Sequence, residues 1–364
     1  MDRNGPPVEC PAPGVSARSN HPLQSAVRRF SASESASRNR SVDFRFPSYW
    51  VWLDALQAEI ADRTADFFEP HSAMSVIARI RLELGQPCRN TMRPHGLPGD
   101  LVVSLTSHPR RFRTLALTLR SLLQQTVQAD HIVLWLTRAD LRLLPKDVFD
   151  LRAAGLEIRV AEDLKSYTKM LPALQAFPDA FICTADDDSY YWPTWLQELV
   201  DGYDASDPTV TCHRAHGITV DGHGRPNPYN QCQRHVRPRG KAMHLFPTGC
   251  MGVLYPPGTL DHNADDRAIA LEQSPLADDI WLYWIGQRNG AQYKTVGRRR
   301  HQITWPGSQR CALWTYNAKG GNDLQIRHLA EQYGYPPILK KIAEVGHCDW
   351  TKPILTVAPE LSWA

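Results

Sequence analysis

The sequence lacks any long apolar segment. It has no run of about 18 apolar residues, so it encodes no membrane-spanning helix. The first seven residues lack the apolar stretch of a secretory signal, so we expect no secretion. An excess of one charge is also missing, because 41 Lys and Arg stand against 38 Asp and Glu. The net charge of +3 gives no argument for nucleic acid as a partner, and we expect none.

The eight cysteines are scattered and form no CxxC pair. In a chain of 364 residues they are too sparse for a disulfide framework, so we expect reduced thiols and a cytoplasmic protein. Seven of the arginines lie within residues 1–46, where only four acids oppose them. This leaves peripheral contact with the inner face of a membrane open as a further expectation.

Composition divides the chain into four parts. Residues 1–45 are rich in Ser, Arg and Pro and poor in large apolar residues, which predicts a disordered basic tail. Residues 46–98 show helical apolar spacing, which Glu69-Pro70 divides into two helices. The main domain is predicted at 99–335, with a C-terminal extension at 336–364.

The main domain alternates short apolar runs with helical patterns. Four strands are predicted at 101–105, 131–136, 156–160 and 180–184, and one of the intervening helices at Lys165–Phe177. This order predicts a Rossmann-like half with a parallel sheet. Ligands of such sheets bind at the carboxyl ends of the strands, where Asp186 falls.

Three acidic residues, Asp186, Asp187 and Asp188, follow the fourth predicted strand. Adjacent carboxylates repel one another, so they favour a cation or hydrogen-bond donors nearby. Mg²⁺ prefers such oxygens and shares them with substrate phosphates. An acidic turn or a helix N-cap is the alternative, but the position at a strand end favours a ligand site.

Other charged pairs leave two interpretations open. Asp278 and Asp279 precede an apolar helix, where they either complement its dipole or supply a general base. Lys165 and Lys169 share one face of the predicted helix and either are solvated or approach a diphosphate. The basic run ending at His301 is a solvated loop or a phosphate contact, and His301 is a candidate third metal ligand.

The order of these motifs resembles glycosyltransferases of the GT-A fold, in particular the family 2-like bacterial enzymes of surface-polysaccharide assembly. The resemblance covers roughly residues 100–335. It rests on Val103–Ser107, Leu119–Thr126, Ala185–Asp188, Pro247–Gly249, Asp278–Leu282, Gly290 and Tyr293–Val296. It implies an α/β fold with a Rossmann-like nucleotide-binding half and a mixed central sheet, to which this chain adds an N-terminal helical extension.

The resemblance also implies roles for individual residues. Asp186 and Asp188 look like the DXD motif, with Mn²⁺ or Mg²⁺ bridging to the donor diphosphate. Asp279 matches the usual base of inverting members, although Asp278 stands where most members have Glu, so the choice between the two stays open. The residues implied to contact the nucleotide or its phosphates are Ser104, Thr106, Ser107, Asp163, Lys169, Asp186 and Asp187.

We therefore predict a metal-dependent, inverting glycosyltransferase. Its partners would be a nucleotide-sugar donor and a glycan or lipid-linked glycan acceptor. The alternatives are a metal-dependent phosphohydrolase or nucleotidyltransferase and a non-catalytic nucleotide-sugar-binding protein. Trp192, Trp195, Trp281 and Trp284 flank the acidic motifs, where they either stack on sugar or pack in the core.

Overall fold

The computed structural model describes residues 71–84, 93–238, 240–261, 263–311 and 316–345. All of them belong to one unit, Trp52–Ala364. The predicted tail at 1–45 and the first predicted helix of the extension lie outside the described residues. In the described part of the chain, no helix is long and apolar enough to cross a membrane.

Fourteen strands are described. In chain order they are β1 Arg93–Pro94, β2 Leu101–Thr106, β3 Val127–Gln128, β4 His131–Leu136, β5 Leu156–Val160, β6 Phe181–Thr184, β7 Ser189–Tyr190, β8 Val210–Cys212, β9 Ala215–Gly217, β10 Lys241–Ala242, β11 Leu245–Pro247, β12 Val253–Tyr255, β13 Tyr293–Thr295 and β14 Ile303–Thr304.

Ten α-helices lie within the described ranges. They are α1 His71–Leu84, α2 Phe112–Leu123, α3 Arg138–Leu141, α4 Lys146–Phe149, α5 Leu171–Ala176, α6 Trp195–Asp201, α7 Arg267–Gln273, α8 Asp278–Arg288, α9 Asn322–Tyr333 and α10 Pro337–Val345. Short 3₁₀ turns lie at Pro109–Arg111, Asp150–Ala154, Lys165–Lys169, Tyr229–Gln231, Gly249–Met251 and Ser308–Cys311, and a π-turn lies at Asn317–Gly321.

Eight strands form one mixed sheet in the order β10-β13-β8-β12-β6-β2-β4-β5. The four strands β5, β4, β2 and β6 are mutually parallel. β12 runs antiparallel between β6 and β8. The protein is therefore an α/β protein with a mixed central sheet and a Rossmann-like half, as the strand order in the sequence predicts. Of the four parallel strands, β2 comes first in the chain and lies between β4 and β6. The chain therefore continues to β4 and β5 on one side of β2 and returns to β6 on the other, so the crossovers change direction beside β2.

Of the parallel strands, β2, β4 and β6 are buried on both faces, which explains their continuous apolar sequences, whereas the edge strand β5 is only partly buried. Val133 and Trp135 of β4 enter one core, on the side of α5 and α8. Ile132, Leu134 and Leu136 alternate with them and enter the other, on the side of α1, α2 and α6. The sheet thus separates two apolar layers and leaves its strand ends for polar residues.

Two helix predictions need correction. Residues Lys165–Phe177 do not form one helix: a 3₁₀ turn at Lys165–Lys169 precedes α5, and Lys165 has a φ of 57°. A left-handed residue at that position prevents a helical start, and Pro172 suits the first turn of the later helix. Helix α10, in the predicted C-terminal extension, was not anticipated, although Ile338, Leu339 and Ile342 are spaced for one buried face.

Candidate active site

The predicted ligand residues gather where β2 and β6 end side by side. Ser104 of β2 pairs in register with Thr184 of β6, so the chain after each strand emerges at the same edge. Ser107 follows β2, and the acidic triplet Asp186–Asp188 follows β6. Because the crossovers change direction between these two strands, this edge is where an open α/β sheet forms its ligand crevice.

The triplet is neutralised within the protein. Asp187 accepts hydrogen bonds from Ser107 Oγ at 2.6 Å and from Arg111 Nη1 at 3.0 Å. The same Arg111 nitrogen contacts Asp188, whose Oδ2 also accepts from Gln309 Nε2 at 2.7 Å. Asp186 Oδ1 lies 2.8 Å from Lys169 Nζ. Two cations thus offset the repulsion among three adjacent carboxylates.

Asp186 and Asp187 differ in how readily they ionise. Burial raises the pKa of Asp187 to about 7, against the opposing charge of Arg111. Burial also acts on Asp186, but the Lys169 ammonium outweighs it and holds the pKa of Asp186 below its ordinary value. Asp186 keeps 27% of its side chain exposed, whereas Asp188 keeps 7%. Asp186 is therefore both charged and accessible.

Lys169 joins this strand edge to the second acidic motif. Its Nζ lies 3.2 Å from Asp278 Oδ2 in addition to its contact with Asp186. Burial opposes its charge, but Asp186, Asp278 and Asp279 together raise the pKa of Lys169 well above its ordinary value. The lysine consequently stays protonated among carboxylates that approach from two parts of the chain. We call Lys169, Asp186, Asp278 and Asp279 the acidic cluster.

Asp279 differs from its neighbour in exposure and in partners. Asp278 is 6% exposed, whereas Asp279 is only partly buried. The backbone N–H of Gly249 donates to Asp279 Oδ2 at 3.0 Å. Burial, and after it the charge of Asp278, raises the pKa of Asp279 to about 7. A partly accessible carboxyl that titrates near neutrality can take up a proton at physiological pH.

The predicted nucleotide-contact residues of β2, Ser104 and Thr106, hydrogen-bond within the protein beside the acidic cluster. Ser104 is fully buried; its Oγ donates to the Lys169 carbonyl and accepts from Trp135 Nε1 at 2.9 Å. Thr106 Oγ1 donates to the Trp135 carbonyl at 3.0 Å. Both hydroxyls thus engage the backbone on which Lys169 and the strand ends depend, and Ser104 supports Lys169 without facing a ligand.

Lys165 and Lys169 do not share a face, contrary to the prediction. Lys165 lies at the surface, 2.6 Å from Asp163 Oδ2, and more than half of each side chain is exposed. This hydrogen bond is the main cause that lowers the pKa of Asp163 below its ordinary value. The left-handed backbone at Lys165 turns its side chain away from Lys169. Asp163 therefore lies outside the acidic cluster.

His301 is not brought to the acidic triplet. The N–H of Trp305 bonds to the carbonyl of Asp188 and Ile303 pairs with Tyr190, so the chain toward His301 runs along the residues after the triplet. Within the described ranges, no group of three His, Cys, Asp or Glu side chains is arranged to hold a metal ion. The predicted set of Asp186, Asp188 and His301 is not assembled.

Sequence reasoning missed several partners of the triplet. Arg111 bridges Asp187 and Asp188, and the Asp186 N–H donates to Tyr191 Oη at 2.6 Å. Two arginines directly after a predicted strand were a signal for a basic partner at its carboxyl end. Gln309 lies 121 residues from its partner Asp188, and no local pattern indicates that contact.

The four tryptophans beside the acidic motifs are core residues. Each is at most 6% exposed, and each indole N–H has a partner inside the protein. Trp195 donates to the Met251 carbonyl at 2.7 Å and Trp281 to the Ala264 carbonyl at 3.0 Å. Of the two interpretations, the structure favours packing over stacking on a sugar.

Comparison with known proteins does not identify a family for this chain. No protein-family model and no curated protein matches the chain. Among solved structures, one that is similar is CMP:2-keto-3-deoxy-manno-octonic acid synthetase complexed with CTP. The two are 12% identical, with a TM-score of 0.33 over 62% of this chain and 100% of that one. A likeness that weak transfers neither ligand nor reaction.

Proposed function

We propose that this protein is a glycosyltransferase of the GT-A type. It would move a sugar from a nucleotide-sugar donor to a hydroxyl group of a glycan or lipid-linked glycan, with inversion at the anomeric carbon. The observation that carries the proposal is the acidic cluster. A protonated lysine, a charged exposed carboxylate and a carboxyl with a pKa of about 7 meet beside the ligand edge of a Rossmann-like half.

Asp279 is the proposed general base. A sugar hydroxyl is a weak nucleophile at neutral pH, so it needs a group that accepts its proton during attack. Asp279 has a suitable pKa and is partly accessible, whereas Asp278 is buried against Lys169. Attack on the face opposite the leaving diphosphate gives inversion. The Gly249 N–H holds Asp279 in place while it acts.

Lys169 and a divalent cation are the proposed counterions of the leaving diphosphate. The carboxylates of Asp186 and Asp188 have the right chemistry for Mn²⁺ or Mg²⁺, and Asp186 is accessible. Arg111 and Gln309 both contact Asp188 Oδ2, so Asp188 would join through Oδ1, which accepts from Ser189 Oγ at 3.1 Å. When bound, the ion would stabilise negative charge on the departing phosphate. Lys169 supplies a fixed positive charge at the same edge.

The test combines a donor screen with a variant of the base. UDP-, GDP-, CMP- and dTDP-sugars are titrated with and without Mn²⁺, and release of nucleotide is followed with acceptor glycans. Asp279→Asn should retain donor affinity while release falls about 100-fold or more, because the base alone is removed. Glu272→Gln, an exposed acid on α7, is the matched control and should behave as wild type.

Three outcomes contradict the proposal. If Asp279→Asn releases nucleotide near the wild-type rate, the base is another residue. If no nucleotide sugar binds but a nucleoside triphosphate is consumed with a free sugar, the protein is a nucleotidyltransferase. If a donor binds and is never turned over with any acceptor, the protein is a binding protein.

A further inference from the structure

A second polar concavity lies near the acidic cluster and is strongly basic. Its volume is about 20 Å³, and none of the described residues that line it is acidic. A volume that small suits one group of a larger ligand, because sites for whole small-molecule ligands measure about 300–1,000 Å³. We call it the arginine pocket. Its basic lining residues are His213, Arg214, His235, Arg237, Arg299 and Arg300.

Two of the arginines are fixed by the fold. Arg237 donates to the carbonyls of His213 at 3.2 Å, Val296 at 2.7 Å and Gly297. Arg300 lies over the Trp192 ring, 4.6 Å from its centroid, and its Nη2 donates to Glu198 at 3.3 Å. Guanidinium groups held in this way lose little further entropy when they bind an anion.

In the described part of the chain, the acids around the pocket do not balance its positive charge. Glu198 contacts both Arg300 and His213, the latter at 3.7 Å, so it offsets one cation of several. The Nε of Arg214 is buried without a hydrogen-bond partner. Burial first, and then Arg214 and Arg299, lower the pKa of His235 to about 4, as expected beside clustered cations. An anion would satisfy both the charge and the unused donor.

The arginine pocket adjoins the proposed base. Arg214 lies between β8 and β9, and its carbonyl accepts from the Thr248 N–H at 3.0 Å. Its Nη1 donates to Cys250 Sγ at 2.9 Å, while Gly249, between those two residues, binds Asp279. The nucleotide contacts predicted at the strand edge, among them Ser107, Lys169 and Asp186, do not line the pocket. The pocket thus meets the site at the turn that holds Asp279.

We propose that the arginine pocket binds an anionic group of the acceptor, such as a phosphate, sulfate or carboxylate. This rests on the proposed function. The acceptor hydroxyl must approach Asp279, and the pocket shares the turn that holds Asp279. The enzyme would therefore select an acidic or phosphorylated glycan, because a neutral one would leave the excess positive charge uncompensated and the Arg214 Nε without a partner.

Calorimetric titration of the full chain with inorganic phosphate and with sulfate tests the pocket itself. Wild type should bind, and Arg299→Gln and Arg214→Gln should each weaken binding about fivefold or more. Arg298→Gln is the matched control, because Arg298 is exposed, precedes Arg299 and does not line the pocket. Arg299 is also exposed, so its variant should fold. Equal binding by wild type, Arg299→Gln and Arg214→Gln would overturn the site.

Two further arms identify the source of the anion. Phosphate affinity should be unchanged when UDP or GDP saturates the protein; competition would assign the pocket to the donor and overturn the proposal. In transfer assays, Arg299→Gln should raise KM for a sugar phosphate acceptor and leave KM for its methyl glycoside unchanged. Equal effects on both acceptors would also overturn it. Because phosphate binding needs no turnover, failure of the transferase proposal is detected separately.

Discussion

Lys169 shows how one residue sets the chemistry of its neighbours. Its ammonium contacts Asp186 and Asp278 and offsets only part of the negative charge of the acidic cluster. Asp186 is closest, at 2.8 Å, and stays ionised. Asp279 has no direct contact with the lysine among the ion pairs described, and burial beside Asp278 leaves its pKa raised to about 7. One cation therefore keeps one carboxylate charged and leaves another able to exchange a proton.

The raised pKa of Asp279 predicts the pH dependence of transfer. Below pH 7 the base is increasingly protonated, so kcat/KM should fall about tenfold per pH unit on the acidic side. The profile is measured with the donor found in the screen. Asp187→Asn is the informative control, because the pKa of Asp187 is also about 7. The acidic limb of the pH profile should be retained in that variant, even if its rate is lower than that of wild type.

Unfolding should not cause the acidic limb. A group whose pKa is raised on folding stabilises the folded state fully below its unfolded pKa of 3.8, and the effect is lost as pH rises through about 7. Asp187 and Asp279 should thus favour the fold at the pH where activity is low. If the acidic limb disappeared in Asp187→Asn, the titrating group would be Asp187 and not Asp279.

At the scale of elements, the turn between β11 and β12 has little steric freedom. A Cβ on Gly249 would lie 2.6 Å from Asp279 Oδ1, and one on Gly252 would lie 2.5 Å from Trp195 Cζ2. Gly252 also has a φ of 95°, which other residues rarely adopt. The turn thus fits closely between α6 and the start of α8, and it sets where Asp279 lies.

Gly249→Ala should therefore impair transfer through the position of Asp279. The methyl group would displace the carboxylate that Gly249 holds, and the transfer rate should fall about 10- to 100-fold while donor affinity is kept. Gly222→Ala is the control, because no atom lies within 4 Å of its added Cβ. Both are followed by kinetics and by thermal unfolding. A Gly249→Ala enzyme with wild-type turnover would show that Asp279 can move without loss.

The elements that the sequence predicts are those with an unambiguous local pattern. The apolar runs of β2, β4 and β6 predict buried parallel strands because these strands are covered on both faces, whereas β5 lies at the edge of the sheet and is only partly buried. Residues Lys165–Phe177 give a helical pattern as well, yet Lys165 has a left-handed backbone, and a 3₁₀ turn precedes the helix. The apolar spacing carries no information about that backbone.

The site was predictable in its members but not in its contacts. Strand ends and family resemblance identify Lys169, Asp186 and Asp279, which the fold brings together from distant parts of the chain. Arg111 as the partner of Asp187, and the arginine pocket, depend on tertiary packing. The pocket joins short segments that are spread over more than 80 positions, from His213 to Arg300, so no motif describes it.

For the molecule as a whole, the two halves of the sheet contribute different parts of the site. The parallel half, β5-β4-β2-β6, supplies the strand edge with the acidic triplet and Lys169. The antiparallel strand β12 begins just after the turn that holds Asp279, and β8 leads into Arg214. A reaction between two substrates suits this division, with the donor over the first half and the acceptor beside the second.

This division predicts how the stability of the whole protein responds to ligands. Lys169 and Arg111 already neutralise the triplet, so EDTA alone should leave the Tm unchanged. A donor at 100 times its Kd should add about 2.7 kcal/mol to the free energy of unfolding. With Mn²⁺ or Mg²⁺ the increase in Tm should exceed that with nucleotide alone, and EDTA should remove only this excess.

Differential scanning calorimetry of the full chain measures the Tm of the protein alone, with EDTA, with nucleotide, and with nucleotide and the ion. Asp186→Asn should lose the additional increase in Tm that depends on the ion. Asp140→Asn, an acid on α3 with no contact to the triplet described, is the control. If EDTA lowers the Tm of the unliganded protein, the ion supports the fold and not the donor. If nucleotide binding is indifferent to both ions and to Asp186→Asn, the lysine and arginine alone hold the diphosphate, because they are then the cations at that edge.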